Sequence, residues 1–197
     1  MSETNRKNFN HLKIHTQYSI CEGAIKIDSL KDFCKENKIP CLGLSDTSNL
    51  CGALEFAENI SKAGTQPIIG TQIYFRLEDT TGLLPLIALN EKGYKRIIEL
   101  SSRSYLENDA LSDPHLDIKE LLSDTEGVLL LSGTIQELFG KLFQKVRLEE
   151  ISKIYKSLSS KFKDNFYLEI QRHEDQNEIA FEKFNLEQSC KNKIPII

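Results

Sequence analysis

The chain has 197 residues, of which 40% are hydrophobic and 27% are charged, a balance typical of an ordinary globular protein and not of a disordered or fibrous one. Its 25 basic and 29 acidic side chains leave a net charge of −4, so the whole chain lacks the basic field of a nucleic-acid-binding module. Any contact with DNA is therefore expected to be local, or to be made by another part of a larger protein.

Apolar, β-branched runs and segments of helical period alternate from the start of the chain. A first strand is predicted over residues 9–15, followed by a helix from about Asp28, a candidate N-cap. The second strand covers residues 41–46. A second helix over residues 54–62 is closed by Gly64, since glycine favours the left-handed conformation that ends many helices.

The middle of the chain predicts a hairpin and a long helix. One strand covers residues 68–77, residues 79–82 turn the chain back, and another strand covers residues 83–89. The apolar spacing then predicts a helix. Its buried face is expected to carry Tyr94, Ile97, Ile98, Ser101 and Tyr105.

The last third continues the alternation of strands and helices. Strands are predicted over residues 128–131, 166–170 and 194–197, and helices over residues 135–143, 148–158 and 175–191. Strands that alternate with helices of this length favour an α/β fold with a mainly parallel sheet covered by helices. A doubly wound sheet and a barrel both fit this pattern.

Nothing in the sequence divides the chain, because no repeat, low-complexity tract or linker interrupts the alternation. We therefore predict one domain over residues 1–197. Its final apolar strand has no following element to cover it, so we interpret the domain as incomplete at that end.

The sequence also indicates in which cellular compartment the protein is found. No apolar run approaches the roughly 20 residues of a membrane span, and the first ten residues lack the apolar stretch of a secretory signal. We expect a cytoplasmic protein without membrane contact. The five cysteines include no C-x-x-C pair, which favours free thiols over a disulfide framework or a zinc ribbon.

Polar side chains gather at the carboxyl ends of the predicted strands, where parallel α/β folds place their ligand sites. The candidates are Lys13, His15, Glu22, Asp46, Thr47, Gln72 and Thr134, and the sixth strand ends in Glu169 with Arg172 and His173 beyond. Lys13 and His15 are two residues apart on a strand and so share a face. We expect them to converge with Asp46 on one pocket.

A metal is one possible occupant of this pocket, because His15, Glu22 and Asp46 are plausible ligands and a catalytic zinc needs at least three. Lys13 argues against it. At an effective dielectric near 20, an ammonium about 4 Å from a divalent ion would cost roughly 8 kcal/mol. The ammonium can instead neutralise Glu22 and Asp46.

The same polar residues can also have purely structural roles. His15 is more simply a hydrogen-bonded histidine at a strand end. Asp46 either caps the loop over residues 47–50 or pairs with Lys13, and we favour the pair. The turn at Ser132 and Gly133 has backbone amides that could hold an anion.

Several segments resemble, in order, the motifs of the polymerase-and-histidinol-phosphatase (PHP) domain. They are HLKIHTQYS (residues 11–19), LSDTSNLCGALEF (residues 44–56) and KAGTQPIIG (residues 62–70), continued by residues 90–94, 130–133 and 167–169. The resemblance covers nearly the whole chain. More specifically, these segments resemble the PHP domains at the N-terminus of the alpha subunit of bacterial DNA polymerase III.

The resemblance implies a distorted seven-stranded, TIM-like β/α barrel, here truncated before its last strands, because the final family motif would lie past residue 197. Active members hold a metal cluster for phosphoester hydrolysis. They have His at the position of Lys13 and Asp at that of Glu22. At the positions of Thr47, Gln72 and Thr134 they have His, Glu, and Cys or His, so this chain carries neutral, weak ligands there.

His15 fits the ligand pattern unchanged, and Glu22 keeps a carboxylate at its position. The resemblance therefore implies a degenerate, metal-free pocket without catalytic residues in this part of the chain. The pocket residues are Lys13, His15, Glu22, Asp46, Thr47, Gln72 and Thr134.

In members with such a pocket, the PHP domain is a scaffold for the proofreading exonuclease (epsilon) subunit. DNA synthesis, the Mg²⁺ ions it requires and DNA binding would belong to further domains of the polymerase, which also contacts other holoenzyme subunits. Two alternatives stay open: a metal-dependent phosphoesterase of the same family and a free-standing adaptor.

Overall fold

The computed structural model describes residues 9–109, 112–173 and 176–197. Within them, one mixed sheet contains six strands. They are β1 (Cys41–Thr47), β2 (Gln66–Leu77), β3 (Thr80–Ala88), β4 (Leu116–Asp117), β5 (Val128–Leu131) and β6 (Phe166–Tyr167).

Seven α-helices of the described residues cover this sheet. They are α1 (Ile27–Asn37), α2 (Ala53–Lys62), α3 (Glu91–Leu106), α4 (Ile118–Ser123), α5 (Leu138–Gln144), α6 (Leu148–Phe162) and α7 (Gln176–Asn192), with a short 3-10 helix at Lys163–Asn165. The predicted alternation of strands and helices is confirmed. None of these helices is both long enough and apolar enough to cross a bilayer.

The strands are ordered β1-β2-β3-β5-β6, and all are parallel except β3, which runs antiparallel to β2 and β5. The exception follows from the tight turn between β2 and β3, where Leu77 pairs directly with Thr80. A turn of two residues can only reverse the chain, whereas parallel neighbours need a crossover. The short strand β4 pairs with the end of β2.

Two further segments extend the sheet at its edges. Ile14 pairs with Leu44 of β1, and Ile196 pairs with Leu168, just after β6. The strands predicted over residues 9–15 and 194–197 are therefore present only as short paired stretches.

The sheet curls into a barrel. Residues 11–14 lie five strand positions from β6, a separation of about 24 Å in a flat sheet at about 4.8 Å per strand. Yet Lys13 Nζ lies 3.1 Å from Glu169 Oε1, two residues beyond β6. Only a closing sheet brings these atoms together, so the predicted distorted β/α barrel is confirmed.

Two apolar clusters hold the helices on the barrel. The larger packs β2, β3, β5 and β6 against α3 to α7 around the fully buried Tyr155, Phe139 and Phe166. The smaller packs α1 and α2 on β1 through Ile27 and Phe56. Hydrophobic burial therefore lies outside the barrel, which leaves its interior to polar side chains.

Two predictions about the helices are wrong. Asp28 is not the N-cap of α1: Lys26 occupies that position without a side-chain bond, and Asp28 lies in the first turn. In α3, only Ile97 of the predicted face is buried, together with Gly93, Arg96, Leu100 and Ser104.

The buried face of α3 differs from the predicted face because of two local contacts. The Arg96 guanidinium turns inward and donates to the carbonyl oxygen of Glu120 at 2.6 Å and to that of Asp124 at 3.3 Å, at the end of α4. Gly93 lies so close to the chain that a Cβ there would fall 1.7 Å from the Gly127 carbonyl oxygen. A buried arginine and a glycine contact are both invisible to a hydrophobic pattern.

Candidate functional site

Strand alternation sorts the candidate residues between the inside and the outside of the barrel. On β1, Leu42 and Leu44 pack outward in the cluster with α1 and α2. Thr47 is an odd number of residues from Leu42 and Leu44, so its side chain points to the other side of the strand, into the barrel. Thr47 pairs in register with Gln72 of β2, so Gln72 also faces inward. Asp46 has the same parity as Leu44 and belongs to the outer face.

An ionic cluster spans the barrel interior. Lys13 Nζ lies 2.9 Å from Glu137 Oε1, and 3.1 and 3.2 Å from the two carboxylate oxygens of Glu169. The three side chains are only 13, 10 and 8% exposed, respectively. We call these residues the Lys13 cluster; it joins the first strand segment, the loop before α5 and the end of β6.

Each carboxylate of the Lys13 cluster is held by further donors. Glu137 Oε2 accepts the backbone N–H of Thr134 at 2.8 Å, and Glu169 Oε1 accepts the side-chain amide of Gln171 at 2.6 Å. Gly133, at φ +78°, makes room for the first contact, since a Cβ there would lie 1.9 Å from Glu137 Oε2. The turn expected to hold an anion therefore holds the chain's own carboxylate.

Charge and burial act in opposite directions on the pKa values of this cluster. Burial alone would lower the pKa of Lys13, but the carboxylates of Glu169 and Glu137 outweigh it and raise that pKa above its ordinary value. Burial, aided by the charge of Glu137, raises the pKa of Glu169 against the attraction of Lys13. One ammonium shared by two carboxylates is therefore firmly charged.

Asp46 does not contact Lys13, so the predicted pair is wrong. Its fully buried carboxylate accepts three hydrogen bonds: from the backbone N–H of Thr16 at 2.6 Å, from the Thr16 hydroxyl at 2.7 Å and from the Ser19 hydroxyl at 2.7 Å. It therefore fixes the turn that follows the first strand segment.

The alternative of a cap on residues 47–50 is not seen either. In that loop the Asn49 side chain accepts the backbone N–H of Cys51 at 3.0 Å. The expected neutralisation of Glu22 by Lys13 is also wrong, because Lys13 pairs with other carboxylates.

Three predicted pocket residues do meet, in a second polar group. Gln72 Nε2 donates to Thr47 Oγ1 at 2.7 Å, and that hydroxyl donates to Glu22 Oε2. Gln72 is 4% exposed, and its Oε1 has no hydrogen-bond partner among the described residues. This chain of bonds ties the loop after the first segment to β1 and β2.

The two remaining candidates contribute little through their side chains. His15 is half-buried, and its Nδ1 has no partner within the described part of the chain, so the hydrogen bond expected of a structural histidine is not seen at that atom. Thr134 serves the cluster through its backbone amide, and its hydroxyl accepts the N–H of Gln136 at 3.3 Å.

Glu137 was missed at the sequence level, although its signal is readable. Thr134 and Glu137 are spaced as in the S/T-x-x-E capping box, in which the glutamate returns to the backbone N–H of the first residue. The bond from Thr134 N to Glu137 Oε2 is the one that this spacing predicts, but Glu137 is itself the N-cap of α5, so the bond closes the turn before that helix. The spacing accounts for the backbone contact of Glu137, but not for its contact with Lys13.

The interior does not fit the metal cluster that the resemblance implies. Across residues 9–109, 112–173 and 176–197, no three His, Cys, Asp or Glu side chains are placed to hold one ion. Lys13 already occupies the space between the two interior carboxylates, and Asp46 is committed to its own turn. No chemical step through a metal is derived for this site.

The fold of the chain is also found in a solved structure. A crystal structure named as that of a metal-dependent phosphoesterase from Bifidobacterium adolescentis matches with a TM-score of 0.57, covering 95% of this chain and 85% of that chain. The two sequences are 13% identical, so the likeness is one of fold alone.

The chain belongs to the PHP domain family, whose family model matches residues 11–173. It is also similar to DNA polymerase III alpha subunits from Caulobacter vibrioides (33% identity over 100% of the chain), Rickettsia conorii (32% over 98%) and Vibrio cholerae (29% over 96%). The chain spans 18, 16 and 17% of the length of these relatives.

Proposed function

We propose that this chain is the N-terminal PHP domain of a DNA polymerase III alpha subunit, and that it acts as a metal-free scaffold and not as a phosphoesterase. The observation that carries the proposal is the Lys13 cluster, in which an ammonium lies 2.9 and 3.1 Å from two interior carboxylates. The relatives support the polymerase context, since they match almost the whole chain.

Electrostatics favours the ammonium over a metal ion. A divalent ion about 4 Å from a fixed ammonium meets roughly 8 kcal/mol of repulsion at an effective dielectric near 20. The carboxylates that would attract such an ion are already shared with Lys13. A metal could enter only by displacing a lysine from a buried, fully bonded position.

The scaffold role concerns the proofreading exonuclease subunit of the polymerase. In this proposal the barrel offers that subunit a rigid surface, and its interior bonds keep the loops at the barrel mouth fixed. The polymerase reaction, its Mg²⁺ ions, its DNA contacts and its contacts with other holoenzyme subunits belong to other parts of the alpha subunit. Replication of this kind takes place in the cytoplasm, where we place the protein.

Co-purification tests the scaffold role. The alpha subunit of the same organism is expressed together with its exonuclease subunit. One form of the alpha subunit contains the present PHP domain, and a second form lacks it. We expect the exonuclease to be retained by the first form and lost from the second. Retention by both forms would contradict the scaffold role.

A hydrolysis assay separates the scaffold from the family's phosphoesterase activity. The chain is incubated with p-nitrophenyl phosphate and a bis-ester analogue in the presence of Mn²⁺ or Zn²⁺. We expect no release above that of heat-denatured chain. Metal-stimulated turnover that is lost in His15→Ala would favour the phosphoesterase instead.

A further inference from the structure

The Lys13 cluster joins two parts of the barrel that no backbone ladder joins. Residues 11–14 are bonded to β1, for example through Ile14 N and the Gly43 carbonyl at 3.0 Å. On the other side, residues 168–170 are bonded to residues 195–197. Among the described residues, no backbone hydrogen bond connects these two edges.

A cavity of about 260 Å³ lies along this gap, with Leu12 and Lys13 on one side and Glu169, Gln171 and Ile197 on the other. The contacts of Lys13 with Glu169 and Glu137 cross the barrel at this point.

The two carboxylates are fixed independently of the lysine. Glu137 is held by the Thr134 amide and Glu169 by the Gln171 side chain, and Glu169 N donates to Ser132 Oγ at 2.9 Å. A pair of buried carboxylates, so fixed, carries a charge of −2 that must be balanced. Three of their oxygens lie 2.9 to 3.2 Å from Lys13 Nζ, which matches the three donors of an ammonium.

We propose that Glu137 and Glu169 form a cation site for a primary ammonium, and that Lys13 fills this site from the first strand segment. The inference rests on the proposed metal-free role and deepens it by naming the ion that takes the metal's place. It predicts that the site binds an external ammonium when Lys13 is shortened.

Chemical rescue tests the site directly. Lys13→Ala removes three carbons and one nitrogen from the side chain, the same number of carbon and nitrogen atoms as in n-propylammonium, so that ion fits the space left behind. We expect Lys13→Ala to lower the melting temperature by about 10 °C, as loss of one partner of a buried ion pair does in a chain of this size. n-Propylammonium chloride should restore several degrees in Lys13→Ala and none in the wild-type chain.

Matched controls separate charge from filling of space. Tetramethylammonium carries the charge without donors, and n-propanol has the shape without the charge; neither should restore stability. Lys92→Ala removes an exposed lysine that pairs with Glu126, and it should lower the melting temperature little and respond to no additive. Equal rescue by n-propanol would overturn the proposal in favour of simple packing.

A second experiment decides the question even if Lys13→Ala does not fold. Lys13→Met is compared in the wild-type background and in the Glu137→Gln/Glu169→Gln background. We expect the unfolding equilibrium constant to rise more than tenfold in the first and less than about twofold in the second, because amides leave no charge to balance. Equal effects in both backgrounds would show that the carboxylates are not the site.

These outcomes are distinguishable from failure of the proposed function. If the exonuclease does not co-purify but the Lys13→Met effect depends on the two carboxylates, the scaffold role falls and the ammonium site stands. If the exonuclease binds but the effect is the same in both backgrounds, the reverse holds.

Discussion

Asp46→Ala tests the assignment of Asp46 to the turn after the first strand and not to the pocket. The substitution removes three hydrogen bonds of 2.6 to 2.7 Å to a fully buried carboxylate. Hydrogen bonds to charged groups contribute about 1.5–3 kcal/mol each. The two hydroxyls can turn to other acceptors, but the Thr16 N–H cannot, so we expect a loss of about 4 kcal/mol.

The assay is urea unfolding of the wild-type chain and two variants. Asp46→Asn keeps one acceptor oxygen, so we expect it to lose only about 1–2 kcal/mol. The control is Asp28→Ala, because Asp28 is 77% exposed and its nearest ion-pair contact, with Lys31, is 3.9 Å long; it should change stability little. Hydrogen exchange should accelerate over residues 16–25 in Asp46→Ala.

A double variant adds a second check. Since Asp46 and Lys13 share no partner, the losses from Asp46→Ala and Lys13→Met should add. A loss from Asp46→Ala no greater than that from Asp28→Ala would contradict the role of Asp46 in the turn. A double variant that loses much less stability than the sum would mean that Asp46 and Lys13 act as a pair.

Three further outcomes follow from single contacts. Gly133→Ala should destabilise the chain by about 2 kcal/mol more than Gly64→Ala in thermal unfolding, because both have positive φ but only at Gly133 would the Cβ strike the Glu137 carboxylate; equal losses would contradict this. The raised pKa of Glu169 means that the unfolding free energy of the wild-type chain, measured relative to Glu169→Gln, should fall as pH rises above about 4.5. If the difference in unfolding free energy between the two proteins does not change with pH, the pKa of Glu169 is not raised. Tyr155→Phe should lower the unfolding free energy by about 1–2 kcal/mol, because the buried Tyr155 hydroxyl donates to Asn185 Oδ1 at 3.1 Å. An unchanged unfolding free energy in urea would argue against that hydrogen bond.

The long elements of the barrel were predictable from the sequence because their apolar runs are strong and their ends are marked. β2 contains a β-branched run, β1 and β5 contain apolar runs with leucines, and α2 ends at Lys62 with Gly64 in the left-handed conformation two residues later. The short elements were missed. β4 has two residues and α4 has six, too few for a period to be recognised.

The pocket was predicted less well, for two physical reasons. Asp46 and Thr47 are neighbours on a strand and cannot face the same side, so grouping both in one pocket ignored the alternation that the sequence itself contains. The second reason is distance along the chain. The partners of Lys13 lie 124 and 156 residues away, and only closure of the barrel brings them to it.

The lysine was nevertheless the informative residue. Its presence at the end of the first strand indicated an interior that carries its own positive charge, and the prediction failed only in naming the acidic partners. A lysine can be read from the sequence, whereas the carboxylates that balance it depend on which loops the fold brings together.

Metal binding by the intact chain decides whether the barrel interior holds an ammonium or a metal ion. The purified protein is dialysed to equilibrium against buffered Zn²⁺ and Mn²⁺ without chelator, and its bound metal is measured by elemental analysis beside Lys92→Ala. We expect no stoichiometric metal in either protein, because the Lys13 ammonium balances the interior carboxylates. Stoichiometric zinc or manganese, retained through gel filtration and located by anomalous scattering beside Lys13, would contradict it.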